Sequence, residues 1–109
     1  MRYLLAVIAN RHGRAMADAR EMAAIDAFNA KIELAGKRVL AIGLEDPASA
    51  VVFDNRQGLP KRRTGPVVDS DDYVAGIWIV DVSSPQEAHQ LAEEASRACN
   101  RQIEVRALL

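Results

Sequence analysis

Residues 74–82, with the sequence VAGIWIVDV, decide the fold of this chain. The stretch is rich in Val and Ile and contains Trp78, a composition typical of a buried β-strand. The residues after it predict a helix, because Ser84 has the position of an N-cap, Pro85 that of the first helical residue and Glu87 that of the acid in a capping box. We therefore predict a strand that leads directly into a helix.

A similar strand and helix are predicted at the beginning of the chain. Residues 3–9 form an apolar run of strand length, and Asp18 with Glu21 has the spacing of another capping box. Gly36 stands where a helix C-terminus favours positive φ. The predicted helix carries an apolar stripe at helical spacing: Met22, Ile25, Phe28, Ile32 and Ala35.

Three further strands complete the prediction, over residues 38–44, 50–53 and 102–108. Residues 54–66 mix glycine and proline with charges and predict a loop or an irregular hairpin arm. The order β-α-β-β-β-α-β predicts an α+β, ferredoxin-like βαββαβ fold with an arm inserted between its third and fourth strands. The second helix should end at Asn100 and bury one stripe: Ala88, Leu91, Ala92, Ala95 and Cys99.

The strands at residues 3–9 and 74–80 are apolar on both faces, although two helices can cover only one face of the sheet. A strand with one solvated face would alternate between apolar and polar residues. We therefore predict that a second copy of the chain covers the other face, giving a homodimer built as a dimeric α/β barrel. By analogy, such an arrangement has a functional pocket between its sheets.

Composition predicts one domain over residues 1–109, with 50% hydrophobic residues and a net charge of −1. The balanced charge does not favour nucleic acid or an anionic membrane as a partner. The apolar run at residues 3–9 is too short to span a bilayer. The single cysteine, Cys99, fits a cytoplasmic protein, and we expect it to be a buried, inert thiol. Spacing typical of a zinc site, a P-loop or a nucleophilic triad is absent from the sequence, so no metal or cofactor is expected.

Several side chains have chemistry that could serve a site. His12 follows the first strand and could carry a proton near neutral pH, or it is a solvated loop residue. Arg106, on the same side of the last strand as Glu104, could hold an anionic ligand or pair with an acid. Tyr73 and Trp78 could line a ligand pocket, or pack in the core or the dimer.

Two charged clusters lie between the third and fourth predicted strands of the sheet. Asp69, Asp71 and Asp72 could bind a hard cation, or they form a solvated acidic turn. The basic run Lys61-Arg62-Arg63 could contact phosphate or a partner's carboxylates, or it belongs to an arm that pairs with the acidic cluster within the dimer.

Short segments along nearly the whole chain keep the order and spacing of one family: residues 1–5, 35–36, 43–47, 50–52, 65–66, 73–82, 87–88 and 103–106. In these segments the chain resembles the YCII-related proteins, specifically their DGPF branch. The resemblance implies the ferredoxin-like fold and the dimer. It also implies that Asp69 is a site residue, because Asp69 stands where the family keeps an acid. DGPF members are often encoded near extracytoplasmic-function sigma factors, which implies an accessory or regulatory setting.

The chain departs from the enzyme-like members of that family. They carry a His on the first helix and an Asp near the end of the second, whereas this chain has no His on its first helix and has Asn100 near the position of the Asp. We therefore expect a small homodimeric protein that binds a small ligand or a partner. The alternative is a lyase or isomerase acting on a small organic acid, in which Asp69 or His12 moves the proton and Arg106 holds the anion.

Overall fold

The computed structural model describes residues 1–14 and 16–109 and contains two helices and six strands within them. The elements in chain order are β1 (Arg2–Asn10), α1 (Ala19–Leu34), β2 (Arg38–Gly43), β3 (Val51–Asp54), β4 (Lys61–Thr64), β5 (Asp72–Asp81), α2 (Pro85–Cys99) and β6 (Gln102–Ala107).

Four of the strands form one sheet in the order β2-β5-β1-β6, and every neighbouring pair is antiparallel. The chain is therefore α+β, and its elements and strand order are compatible with the predicted ferredoxin-like fold. The long apolar strands β1 and β5 are the two central ones, as their lack of alternation requires.

The segment between β2 and β5 is more regular than predicted. Residues 61–64, expected in a loop or an irregular arm, form β4, which pairs with β3 in a separate two-stranded sheet from Val51↔Thr64 to Asp54↔Lys61. The sequence of β4, Lys-Arg-Arg-Thr, has no apolar alternation, so the pairing with β3 and not strand propensity makes it a strand.

The ends of α1 follow the prediction closely. The Asp18 carboxylate accepts a hydrogen bond from the Glu21 backbone N–H at 2.8 Å, and the Glu21 carboxylate accepts one from the Asp18 N–H at 3.3 Å. At the other end Gly36 has φ of +70°, and the Lys37 N–H donates to the carbonyl of Ile32 at 2.9 Å. This Schellman arrangement needs the left-handed conformation that glycine adopts without strain.

The start of α2 differs from the prediction in one bond. Ser84 caps the helix, since its Oγ accepts from the Glu87 N–H at 3.2 Å, and Asn100 ends it with φ of +52°, both as predicted. Glu87 does not complete a capping box, however. Its carboxylate accepts instead from the N–H and the hydroxyl of Ser83, at 2.9 and 2.7 Å, and forms an ion pair with Lys37.

Both helices pack on one face of the sheet. The predicted stripe of α2 is entirely buried, and the ring of Phe28 on α1 meets that of Trp78 on β5 edge to face, with centroids 5.2 Å apart. The stripe of α1 is only partly buried: Phe28 and Ile32 lie in the core, whereas Met22, predicted to share the stripe, is 45% exposed. The first turns of α1 therefore stand away from the sheet.

Beside the first turns of α1, the strands β2 and β5 approach each other closely. The register of β1 against β5 shifts after Val7, leaving Ala75 without a partner in β1. The next residue is Gly76, and a Cβ atom there would lie 2.8 Å from the carbonyl oxygen of Ile42. Only glycine fits this position, because the obstructing atom belongs to the backbone.

We expect Ser84→Ala to lower the free energy of unfolding by about 0.5–2 kcal/mol, because the Glu87 N–H loses its cap. Ser84→Asp, which keeps an acceptor at the N-cap, should stay close to the wild type. Denaturant midpoints of the three proteins measure this, and a midpoint of Ser84→Ala equal to that of the wild type would contradict the cap.

The bonds to Glu87 also predict a pH dependence. Hydrogen bonds from Lys37 and Ser83 lower the pKa of Glu87 from 4.5 to about 2. Because the folded-state pKa is the lower one, this stabilisation is fully present above about pH 4.5 and is lost as the pH falls towards 2. Glu87→Gln should therefore flatten the decline in denaturant midpoint over that window. Parallel curves for the variant and the wild type would show that Glu87 contributes nothing to acid sensitivity.

Candidate functional site

A cleft of about 530 Å³ opens where the first turns of α1 stand away from the sheet, bounded by β2 and β5 on one side and by the end of α2 on the other. Its large apolar lining residues include Val7, Met16, Met22, Ile25, Leu44 and Trp78. Three of these are well exposed, with Met16 at 79%, Leu44 at 52% and Met22 at 45%. A concave apolar surface of this size is typical of a site for a small molecule.

Two polar side chains accompany the apolar lining. Asn29 of α1 accepts a hydrogen bond from the indole N–H of Trp78 at 2.8 Å through its amide oxygen. Its amide nitrogen donates to none of the described residues. Asn29 therefore fixes the ring of Trp78 and offers a donor.

Arg101 is the second polar group of the cleft. Asn100, in the left-handed conformation, ends α2 and turns the following residue back over the helix end. The Arg101 guanidinium donates to the carbonyls of Cys99 and Arg14, both at 3.0 Å. The carbonyls at a helix C-terminus carry partial negative charge, so they hold a cation there favourably.

Cys99 lies in the wall of the same cleft and is 2% exposed. Burial raises the pKa of its thiol above the ordinary value of a cysteine, although the backbone hydrogen bond and the charge of Arg101 act in the opposite direction. The group is therefore protonated at neutral pH, which suits the inert thiol predicted from the sequence.

His12 and Asp69 lie together in the loops that follow β1 and precede β5. Arg11 Nη2 is 2.5 Å from Asp69 Oδ1, and His12 Nε2 is 3.4 Å from Asp71 Oδ1. The hydrogen bond that Arg11 donates to Asp69 raises the pKa of Arg11. The side chains of His12 and Asp69 are 72% and 82% exposed, so water screens these pairs strongly.

The other three predicted site residues occupy different places. Trp78 packs in the core at 5% exposure and also lines the cleft, and Tyr73, half-buried, pairs with Ala9 near the loop of His12. Arg106 pairs in register with Leu4 of β1. Leu4 lies six residues before Asn10, the last residue of β1, and this separation is about 20 Å along the strand. Within one chain the sheet therefore keeps Arg106 apart from His12 and Asp69.

Arg106 has its own partner within β6. Its Nε lies 3.3 Å from Glu104 Oε1, and the two side chains are 73% and 57% exposed. The pair with an acid, one of the alternatives that the sequence leaves open, is therefore present as a solvent-exposed contact.

Sequence reasoning assigned no role to Asn29 or Arg101. Asn29 lies four residues after Ile25 on the inner side of α1, and a polar residue at an inward position signals a specific hydrogen bond. Arg101 could be noticed as the first residue after the predicted stop at Asn100. Its place in a cleft depends on the tilt of α1, which no local pattern encodes.

The acidic turn of Asp69, Asp71 and Asp72 lacks the geometry of a metal site. Across residues 1–14 and 16–109, His, Cys, Asp and Glu side chains form no group of three that could hold an ion. Neither of the two helices in this part of the chain is long and apolar enough to cross a bilayer.

Comparison with known proteins places the chain in a family. A search of curated proteins finds no match to this chain. The family model of the YCII-related domain, in contrast, matches residues 1–109, which is the whole sequence. The chain therefore belongs to the family of YCII-related domains.

Proposed function

We propose that this protein is a homodimer that binds a small, largely apolar organic molecule in the cleft beside α1, in an accessory or regulatory role and without catalysing a reaction. The observation that carries the proposal is the cleft itself, which exposes Met16, Met22 and Leu44 around the single tryptophan of the chain.

The lining of the cleft suits a ligand better than it suits solvent. The free energy falls when a ligand removes exposed apolar side chains from water. Met16 and Met22 are unbranched and adapt their rotamers to the shape of what they contact. Trp78, by contrast, is only 5% exposed and is held in place by Asn29 and Phe28, so it forms a fixed part of the wall behind these methionines.

The dimer is supported by the sheet face turned away from the helices, here called the open face. Its side chains, which adjoin one another in the register of β2, β5 and β1, are Leu4, Ala6, Ile8, Leu40, Ile42, Val74, Ile77 and Ile79. Leu40 and Ile42 are 36% and 46% exposed. The same face of a second copy would cover these residues in a two-fold dimer, as a dimeric α/β barrel requires. The pair of Arg106 and Glu104 would then lie at the rim on β6.

The hairpin of β3 and β4 also supports a second copy. Phe53 and Leu59 are 69% and 65% exposed, and a two-stranded sheet with uncovered apolar side chains is only marginally stable. We propose that it is an arm that reaches across the dimer, where Lys61, Arg62 and Arg63 would meet the acidic turn around Asp69.

The alternative function, a lyase or isomerase, would rely on Asp69 or His12 to move the proton, and His12 forms a pair with Asp71 at 3.4 Å. That pair lies in solvent, so it lacks the burial by which enzymes tune such groups. We therefore favour binding over catalysis. The single, buried thiol of Cys99 supports a cytoplasmic setting.

The dimer predicts a mass of about twice 11.9 kDa by light scattering at micromolar concentration. Leu40→Lys places a charge on the open face and should give a folded monomer, because a buried unpaired ammonium is costly. Leu34→Lys is the matched control: Leu34 is 89% exposed on α1, outside the open face, so this variant should remain a dimer. A monomeric wild type would refute the dimer.

The cleft predicts that ligands change the fluorescence of Trp78, the only tryptophan in the chain. Titration with octanoate or its neutral analogue octanamide should change the emission saturably. Met22→Lys should weaken the binding of the neutral octanamide by about tenfold, because it replaces an apolar wall with a charge. Leu34→Lys again serves as the control and should bind as the wild type does. If neither molecule changes the emission, the cleft is not a binding site for compounds of this kind.

A further inference from the structure

We infer that the ligand of the cleft is an amphipathic organic anion, with an apolar body and a carboxylate that binds the guanidinium of Arg101. This inference rests on the proposed function and names the chemical class of its ligand. It assigns to Arg101 the role of anchoring the charged end.

The charge of Arg101 has no acidic partner. Within the described residues, no carboxylate oxygen lies within 4.0 Å of its guanidinium. The acids at the start of α1 are already engaged, since Arg14 lies 3.1 Å from Asp18 Oδ2 and 3.0 Å from Glu21 Oε1. Arg11, in contrast, meets Asp69, and Arg106 meets Glu104.

The guanidinium of Arg101 is nevertheless held in one orientation. Its two hydrogen bonds, to the carbonyls of Cys99 and Arg14, join the end of α2 to the loop before α1. A guanidinium has five N–H groups, so three remain for a ligand. Because the fork is already oriented, binding a carboxylate costs less side-chain entropy than it would at a free surface arginine.

The polar lining of the cleft matches an anion and not a cation. No Asp or Glu lines it, and the unengaged polar groups are the N–H groups of Arg101 and the amide nitrogen of Asn29. Both are donors, so the polar end of the ligand must accept hydrogen bonds. Trp78, Ile25 and Met22 provide the apolar surface for the remainder of the molecule. A carboxylate on a hydrocarbon or aromatic body meets both requirements.

The test compares octanoate with octanamide, which have the same chain length and nearly the same shape but differ in charge. Titrations are followed by the emission of Trp78 at pH 7.5. The wild type should bind octanoate more tightly than octanamide by about tenfold or more, the range for a charge-assisted hydrogen bond. Arg101→Gln keeps a donor for the two carbonyls but loses the charge, so it should abolish the preference by weakening octanoate more than octanamide.

Arg97→Gln is the matched control, because Arg97 is an exposed arginine in the last turn of α2 that does not line the cleft. It removes the same charge from the same helix end and should retain the preference for octanoate. If Arg101→Gln fails to fold, as judged by circular dichroism, Arg101→Lys replaces it. Lysine keeps the charge but loses the fork, so the preference should fall but persist.

The outcomes separate the inference from the function on which it rests. Equal binding of octanoate and octanamide by the wild type, or an undiminished preference in Arg101→Gln, would overturn the anion site while leaving the cleft as a binding site. The absence of any emission change with either molecule would overturn the proposed function itself. Loss of the preference in Arg97→Gln as well would show that the general charge of the helix end, and not Arg101, selects the anion.

Discussion

The pairing of β1 with β5 is the interaction on which the rest of the structure depends. The two strands run antiparallel at the centre of the sheet over almost their whole length, from Arg2↔Asp81 to Asn10↔Asp72. Leu5 and Val80 point from this pair to the helices and are completely buried. Side chains on the opposite side of the same strands form the open face. One strand pair thus supplies both the core and the surface proposed for a second copy, because both faces of each strand are apolar.

The cleft exists because α1 packs with only its second half. Phe28 and Ile32 anchor that half in the core, whereas the turns around Met22 stand away from the sheet. The capping box of Asp18 and Glu21 keeps these first turns helical even though they bury little apolar surface. A well-capped helix end that is poorly packed leaves space between helix and sheet, and the turn at Asn100 brings Arg101 to the border of that space.

Much of the fold could be predicted from local signals. The caps at Asp18, Ser84 and Asn100, the positive φ of Gly36 and the buried stripe of α2 each depend on residues close in sequence, and each is found as expected. The errors concern contacts over longer distances. Glu87 pairs with Lys37, which precedes β2, and does not complete the capping box, and the predicted irregular hairpin arm contains a regular strand, β4, because it pairs with β3. For the same reason, less of the candidate site could be predicted from the sequence. Trp78 was noticed as an aromatic residue, but the position of Arg101 beside the same cleft follows from the packing of three elements.

The two walls of the cleft differ in whether they tolerate substitution: the wall at Gly76 does not, and the wall formed by Met16 and Met22 does. Since even a methyl group at Gly76 would collide with the backbone at Ile42, the spacing of β2 and β5 tolerates no substitution there. The side of the cleft formed by Met16 and Met22 carries no such constraint, because these side chains project from a loop and a helix turn that hold little of the core. Substitutions at Met16 and Met22 would therefore change the size of the cleft, one residue at a time, while the sheet beneath it keeps its geometry.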